Sequence, residues 1–191
     1  MRETLAGLIL AAFTFVVSPL AQDKPSEPDD YRLDNYRAPV PATLAGVRVL
    51  TTAEAEVIWR ARTGVFIDVM PRAPKPPNLP QGTVWRDRPR LGIPGSMWLP
   101  DTGYGKLAAA TEDYLKRGLV RATAGNSAAL VVVYCMADCW MSWNAAKRVR
   151  TYGYPNVAWY PEGTDGWERA GLDLVEMQPE PRTAEETTQS R

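Results

Sequence analysis

The two cysteines of the chain, Cys135 and Cys139, are the side chains best suited to covalent chemistry. Cys135 directly follows an apolar run of β-branched residues and Tyr134, and the residues beyond Cys139 predict a helix. A cysteine between a buried strand and a helix can meet backbone N–H groups and the positive end of the helix dipole, which stabilise a thiolate. The spacing therefore predicts thiol chemistry.

The second cysteine leaves three interpretations open. Cys139 could resolve a persulfide or sulfenate on Cys135 into an internal disulfide, which would make the loop a dithiol switch. A permanent disulfide staple is the structural alternative, although so short a closed loop would contribute only about 2 kcal/mol. A soft-metal site on the two thiolates is the third, and it would have no further cysteine or histidine as a ligand.

Composition excludes several other functions. The 191 residues are enough for one domain, and 22 Lys and Arg balance 22 Asp and Glu, so charge does not predict nucleic-acid binding. The chain has no histidine, which excludes histidine general bases, histidine-dependent zinc sites and covalent haem attachment.

The chain divides into four predicted segments. Residues 1–21 are mostly apolar and predict an export signal cleaved near Ala21, with an uncleaved anchor as the alternative. Cleavage would leave no stable membrane span, and either interpretation places the domain outside the cytoplasm. Residues 22–44 are rich in proline and predict an extended lead-in, residues 45–176 form the domain, and residues 177–191 predict a disordered tail.

Strands that alternate with helices predict an open, mostly parallel α/β sheet. Cys135 would lie at the carboxyl end of its central strand, where such sheets place functional groups. A proline-rich loop is predicted at residues 71–94. Strands are predicted at residues 46–50, 65–69, 95–100, 129–134 and 156–160; helices are predicted at residues 52–62, with Val57, Ile58 and Ala61 inward, at 106–117, ending near Gly118, and at 143–152, capped by Ser142.

The order of these motifs resembles the rhodanese fold. Residues 66–69, 93–100 and 132–135 are similar to its buried-aspartate strand, its Ile-Pro-Gly-Ala turn and its nucleophile strand. Residues 135–144 and 159–167 more closely resemble the PQQ-dependent catabolism-associated CXXCW motif proteins, and the resemblance covers about residues 30–175. Three residues separate the cysteines here, whereas the motif name indicates two.

The resemblance implies a rhodanese-like three-layer domain with a central mostly parallel sheet, located in the periplasm. It implies Cys135 as the nucleophile, with a small sulfur donor or thiol acceptor as its substrate. It also implies a role beside quinoprotein alcohol oxidation, with a PQQ-dependent dehydrogenase or its cytochrome c as a partner. It does not imply that this chain binds PQQ, and no cofactor or metal is expected.

The loop sequence argues against ordinary thiosulfate transfer. In rhodaneses, backbone amides and usually a basic loop residue bind the anionic donor, whereas this loop carries Asp138 and no Arg or Lys. Arg72 would have to fold over the loop to supply that charge. The predicted substrate or partner contacts are Met136, Ala137, Asp138, Trp140, Trp143 and Arg72.

An interaction module is the alternative function. Trp140 and Trp143 would form an aromatic surface that holds a dehydrogenase or cytochrome partner without catalysis. Asp68 is interpreted as a structural carboxylate satisfied by neighbouring amides rather than as a catalytic acid.

Overall fold

The computed structural model describes residues 24–73, 76–84, 88–184 and 187. The predicted export signal at residues 1–21 lies outside them. Strands are β1 (Arg48–Val49), β2 (Gly64–Asp68), β3 (Arg90–Gly92), β4 (Met97–Trp98), β5 (Leu130–Tyr134), β6 (Val157–Tyr160) and β7 (Val175–Met177). Helices are α1 (Thr52–Ala61), α2 (Ala109–Ala122), α3 (Trp140–Thr151) and α4 (Gly163–Arg169).

Five strands form one parallel sheet in the order β1-β6-β5-β2-β4, and β3 pairs with β7 in a separate antiparallel ribbon. The predicted α/β class with a central parallel sheet is therefore confirmed. Strand β5 lies in the middle, as predicted from its apolar run. Its register sets Tyr134 opposite Asp68 on one side and Tyr160 on the other, so the carboxyl ends of three strands are level.

Side chains of β5 point alternately into two hydrophobic clusters, one on each face of the sheet. Val131, Val133 and Cys135 face the cluster that includes residues of α2 and α3. Val132 and Tyr134 face the cluster that includes residues of α1 and α4. The domain thus has three layers, and the alternation directs Cys135 toward the side of the sheet on which α3 packs.

Helix α1 has the predicted capping box between Thr51 and Glu54. Its inward face differs from the prediction, because Val57 is 67% exposed and Ala61 is also exposed, while Ala55 and Ile58 are buried. The buried face of α1 is thus rotated relative to the predicted one, because the short apolar stripe of this helix permits more than one inward face.

Helix α2 continues past Gly118 instead of ending there. A Cβ atom at Gly118 would lie 2.6 Å from a Leu99 methyl carbon, so this glycine lets the helix approach the chain after β4 closely. It is a packing glycine, and the helix ends at Ala122.

Residues 177–182 pack against the domain, whereas a disordered tail was predicted from residue 177. Met177 belongs to β7, and the Glu180 N–H donates to the Trp98 carbonyl over 2.9 Å. The Tyr114 hydroxyl donates to the Glu180 carbonyl over 2.7 Å, and the Glu180 carboxylate lies 2.6 Å from the Arg121 guanidinium. The predicted proline-rich loop likewise contains β3, the partner of β7.

Candidate functional site

Cys135 lies directly after β5 and is fully buried. Its Sγ atom is 3.4 Å from the Sδ atom of Met70, which follows β2 by two residues. Cys139 belongs to the same buried cluster as Cys135 and adds to the effect of burial, which raises the pKa of the Cys135 thiol. The parallel register of β2 and β5 brings the two sulfur-bearing residues of these strand ends together.

Cys139 is the N-cap residue of α3. The helix begins three residues earlier than predicted, because Ser142 is not the cap and its hydroxyl donates to the Cys139 carbonyl over 3.0 Å. The Cys139 side chain makes no capping hydrogen bond, but the backbone N–H groups of Met141 and Ser142 in the first turn lower the pKa of its thiol. These N–H groups belong to a first helical turn, whose amides have no partner within the helix and favour a nearby negative charge.

The two thiols have pKa values that move in opposite directions. The hydrogen bond from Cys135 lowers the pKa of Cys139 to about 7, with further help from the two helix amides and Arg37. Burial raises the pKa of the Cys135 thiol well above its ordinary value, and Cys139 and Asp68 add to the effect. A thiolate on Cys139 that accepts a hydrogen bond from a neutral Cys135 is therefore the favoured first ionised form.

The loop between the cysteines rests on the start of α4. Gly163 has φ +50°, and a Cβ atom there would lie 2.6 Å from the Cys135 carbonyl oxygen, so only glycine fits. That carbonyl accepts the Thr164 N–H over 3.2 Å, and Met136 pairs with Gly163 in an antiparallel bridge. Asp138 is exposed and has φ +50°, a conformation that Asp tolerates better than most residues.

Protein groups already occupy loop amides that an anionic sulfur donor would use. The half-buried Ala137 donates its N–H to the Asp165 carboxylate over 3.2 Å. The backbone N–H of Trp140 donates to the Tyr36 carbonyl over 2.9 Å. A thiosulfate ion would have to displace a carboxylate and a carbonyl, which agrees with the sequence argument against that substrate.

Arg72 does not fold over the cysteine loop, so it does not supply the positive charge that an anionic sulfur donor would need there. Its backbone N–H donates to the Asp101 carboxylate over 3.2 Å, and it lines a cleft with Tyr104 and Lys106 to which residues 135–140 do not contribute. Among the described residues, Arg37 and Arg90 contact the loop, and their guanidinium groups donate to the carbonyls of Ala137 and Cys135, respectively.

The predicted aromatic surface is absent from the described part of the chain, because Trp140 and Trp143 are buried. Their rings meet edge to face with centroids 5.4 Å apart. The Trp140 indole N–H donates to the Pro39 carbonyl over 3.1 Å, and that of Trp143 donates to the Thr43 carbonyl over 3.2 Å. Both indoles hold the lead-in segment instead of facing solvent.

Residues 27–44 of the lead-in form a cover segment over α3 and the cysteine loop. Arg37 pairs with Cys139 in an antiparallel bridge, and the Ala38 N–H donates to the Asp138 carbonyl over 3.2 Å. The Arg37 guanidinium donates to the Ala137 carbonyl over 2.7 Å. The cover segment lies directly on Cys139, which retains only 2% exposure.

Asn144 anchors the cover segment further along α3. Its side-chain oxygen accepts the Arg32 N–H over 2.9 Å, and its side-chain nitrogen donates to the carbonyls of Arg32 and Gly103 over 2.9 and 3.0 Å. The Arg32 guanidinium also lies 5.2 Å from the centre of a Trp140 ring. Sequence reasoning missed this docking because most of its bonds use backbone groups of the lead-in, which leave no residue pattern.

Asp68 is fully buried at the end of β2. Its carboxylate accepts the Met70 N–H over 2.8 Å and pairs with Arg90, also over 2.8 Å. Burial raises the pKa of Asp68 to about 6, although the Arg90 guanidinium opposes the rise. These contacts fit the interpretation of Asp68 as a structural carboxylate. The sequence did not indicate Arg90 as its partner, because Arg90 lies inside the predicted proline-rich loop.

A cleft of about 330 Å³ opens beside the cysteine loop. Ala137 and Asp138 form one wall, and Pro39, Thr51 and Glu162 contribute to the others. Among the described residues, no three Cys, Asp or Glu side chains gather as metal ligands. None of the helices described is both long and apolar enough to span a bilayer.

No known family profile matches the sequence. No curated protein matches it. Among solved structures, the chain is similar to a thiosulfate sulfurtransferase from Pseudomonas aeruginosa, with 21% identity, a TM-score of 0.48, and coverage of 72% of this chain and 22% of the other. It is also similar to a polysulfide-sulfur transferase homodimer from Wolinella succinogenes, with 16% identity, a TM-score of 0.43, and coverage of 70% and 82%.

An uncharacterized protein from Saccharomyces cerevisiae is a third structural neighbour, with 19% identity, a TM-score of 0.40, and coverage of 65% of this chain and 93% of the other. The chain thus spans about a fifth of the length of the Pseudomonas sulfurtransferase and most of the length of the other two.

Proposed function

We propose that the protein is a rhodanese-like thiol enzyme that exchanges disulfides through Cys135 and Cys139. The observation that carries this proposal is that Cys135, at the carboxyl end of the central strand, and Cys139, at the start of α3, are buried in the same cluster. Within it, Cys135 lowers the pKa of Cys139 to about 7. A thiol with a pKa near the ambient pH combines thiolate content with nucleophilicity, which favours exchange.

In this reaction a disulfide of the partner is the oxidant of the two protein thiols. One thiolate of the protein attacks a sulfur of the partner disulfide, and the first partner thiolate leaves. The other thiol loses its proton and attacks the mixed disulfide, and the second partner thiolate leaves. The protein dithiol is oxidised to a disulfide, while the partner disulfide is reduced to two thiols.

Sulfane-sulfur transfer is a second candidate, supported by the position of Cys135 after β5, the nucleophile position of the rhodanese fold it resembles. A thiolate of the pair would take the outer sulfur of a persulfide donor and release the donor thiolate. A small uncharged or thiol-derived donor fits better than thiosulfate, because Asp165 and the Tyr36 carbonyl occupy loop amides.

The interaction module is the weaker function. It depended on an exposed aromatic surface at Trp140 and Trp143, and both residues are buried. Such a module would support its partner equally well after Cys135→Ser and Cys139→Ser, which makes the double variant a direct test.

The cellular role is proposed as periplasmic support of a PQQ-dependent dehydrogenase or its cytochrome c. It is supported by the predicted export signal and by the resemblance of residues 135–144 and 159–167 to the CXXCW motif proteins. Growth of a deletion strain on alcohols, complemented with wild type or the double cysteine variant, tests it. Recovery of the processed chain in an osmotic-shock fraction tests the location.

Mass spectrometry of protein isolated under alkylating conditions decides between the two chemistries. A reducible bond between Cys135 and Cys139 supports disulfide exchange, whereas an extra sulfur on either cysteine supports sulfur transfer. Recovery of only unmodified thiols, after the protein has been exposed to glutathione disulfide and to a persulfide donor, would reject both.

A further inference from the structure

We infer that Cys139, not Cys135, forms the first covalent bond with an external disulfide, and that Cys135 then closes the internal disulfide. The inference rests on the proposed thiol–disulfide exchange and reverses the roles that the sequence predicts. It follows from three features of the site: the amides around Cys139, the packing around Cys135 and the position of the cover segment.

The first feature is the stabilisation of a negative charge on Cys139. Cys139 is the N-cap residue of α3, a helix of 12 residues, and two N–H groups of the first turn lower the pKa of its thiol. The guanidinium of Arg37 also lowers the pKa of this thiol. Helix amides and a nearby cation are the surroundings in which protein thiolates form near neutral pH.

The second feature is the packing around Cys135. Its sulfur lies 3.4 Å from the Met70 Sδ atom, and the cysteine is fully buried. Burial raises the pKa of this thiol, and the Asp68 carboxylate adds to the effect. A partner sulfur bonded to Cys135 would need space in this packed cluster, where Met70 and Cys139 already contact the thiol. Interiors packed at this density do not admit an extra group without displacement.

The third feature is the direction from which a partner can arrive. Residues Tyr36, Arg37 and Ala38 of the cover segment lie over the loop, with Arg37 paired to Cys139. The bonds of Cys135 go instead to Met70, Arg90 and Thr164, so we expect that lifting the cover residues would expose Cys139 first. Disulfide exchange requires the attacking, central and leaving sulfurs to lie approximately in line. Cys135 attacking from the interior, with the partner leaving outward, fits that requirement.

The exchange then proceeds in a fixed order. The Cys139 thiolate bonds to one sulfur of the partner disulfide, and the other partner sulfur leaves as a thiolate. Cys135 gives its proton to solvent and attacks the Cys139 sulfur, which expels the second partner thiolate. Two electrons pass from the protein dithiol to the partner disulfide.

The order is tested with single-cysteine variants of the full chain and glutathione disulfide as the probe. Cys135→Ser keeps a hydrogen-bond donor beside Cys139, and Cys139→Ser places a residue that is favoured at N-caps at the start of α3. We expect Cys135→Ser to accumulate a mixed disulfide with glutathione at pH 7 at least about tenfold faster than Cys139→Ser, after thiolate content is offset by nucleophilicity. Intact-mass spectrometry measures both rates, and circular dichroism confirms that both variants are folded.

The outcomes separate this inference from the proposed function. If wild type forms the internal disulfide but Cys139→Ser reacts as fast as or faster than Cys135→Ser, the order is wrong and the exchange function stands. If wild type and both folded variants fail to react, while the same chains react in urea, the exchange function fails and the order fails with it. Equal rates in a Cys135→Ala variant and in Cys139→Ser would also overturn the order.

Discussion

The Arg90 guanidinium binds the buried Asp68 carboxylate through two nitrogen atoms, each 2.8 Å from Oδ2. The same group donates to the Cys135 carbonyl over 3.1 Å. Arg90 lies on β3, so one side chain ties the end of the proline-rich loop to the carboxyl ends of β2 and β5. The backbone that presents Cys135 is therefore fixed by a charge pair that takes no part in thiol chemistry.

Arg90→Gln is expected to lower the free energy of unfolding by about 3 kcal/mol at pH 8, because it leaves the buried Asp68 carboxylate unpaired. The pKa of Asp68 in the folded state is already raised to about 6 from 3.8, so stability from its protonated form is present below 3.8 and lost as pH rises through 6. Removing Arg90 raises that pKa further, and the destabilisation should be smaller at pH 5. Urea unfolding at both pH values measures it.

The double variant Asp68→Asn with Arg90→Gln is the control for this pair. It removes both charges, so we expect it to be more stable at pH 8 than Arg90→Gln alone. A single variant as stable as wild type at pH 8, or equally destabilised at pH 5 and pH 8, would contradict the assignment of the pair.

The alkylation rate of Cys139 should rise with pH around a midpoint of about 7, because that is its lowered pKa. Arg37→Gln removes a nearby positive charge, so the midpoint should move to higher pH and the thiolate fraction at pH 7 should fall about twofold. Iodoacetamide labelling followed by peptide mass spectrometry measures the profile. Arg60→Gln, on the exposed face of α1, is the matched control and should leave the midpoint unchanged. Identical midpoints in wild type, Arg37→Gln and Arg60→Gln would show that Arg37 does not lower the pKa of Cys139.

Asn144→Ala should loosen the cover segment, since it removes three hydrogen bonds to Arg32 and Gly103. We expect a loss of about 2 kcal/mol in the free energy of unfolding and a several-fold faster reaction of Cys139 with iodoacetamide. Asn156→Ala is the matched control, because the hydrogen bond from its side chain to the Ala128 carbonyl is exposed and lies at the other end of the sheet. Equal labelling rates in the two variants would show that the cover segment does not limit access.

Gly163→Ala should distort the cysteine loop, because its Cβ atom would meet the Cys135 carbonyl at 2.6 Å in addition to the unfavourable φ of +50°. We expect a loss of about 3 kcal/mol and an altered rate of internal disulfide formation. Gly171→Ala measures the cost of a positive φ alone, because φ at Gly171 is +73° and nothing lies within 4 Å of the added Cβ atom. That control should lose only about 1 kcal/mol, with an unchanged disulfide rate. Matching losses in the two variants would refute the contact argument.

The sequence was sufficient to predict β5 and the place of Cys135, because a run of apolar residues buried on both faces identifies a central parallel strand. It was also sufficient for the start of α1, where Thr51 and Glu54 form a recognisable capping box. It was misleading at α3, since Ser142 is a common cap whereas cysteine is not, and the true cap is Cys139.

Contacts between distant segments account for most of the remaining errors. The burial of Trp140 and Trp143 depends on carbonyls of Pro39 and Thr43, and a carbonyl acceptor carries no residue signature. The pairing of β3 with β7 and the docking of Glu180 likewise join short segments that are weak signals individually. Arg90, the second arginine that contacts the cysteine loop, has no recognisable sequence pattern around it and is identified by its ion pair with Asp68 in the structure.

The cover segment also has a consequence for the order in which the chain folds. Its bonds to the cysteine loop and α3 join residues 100 to 119 positions apart, as between Arg37 and Ala137 or between Pro28 and Lys147. Contacts of such long sequence separation close late, because the loop entropy is recovered only when both segments are in place. During synthesis the cover segment emerges well before the cysteines that it shields. Both thiols therefore stay open to oxidants until nearly the whole domain is assembled, and their protection from alkylation marks the end of folding.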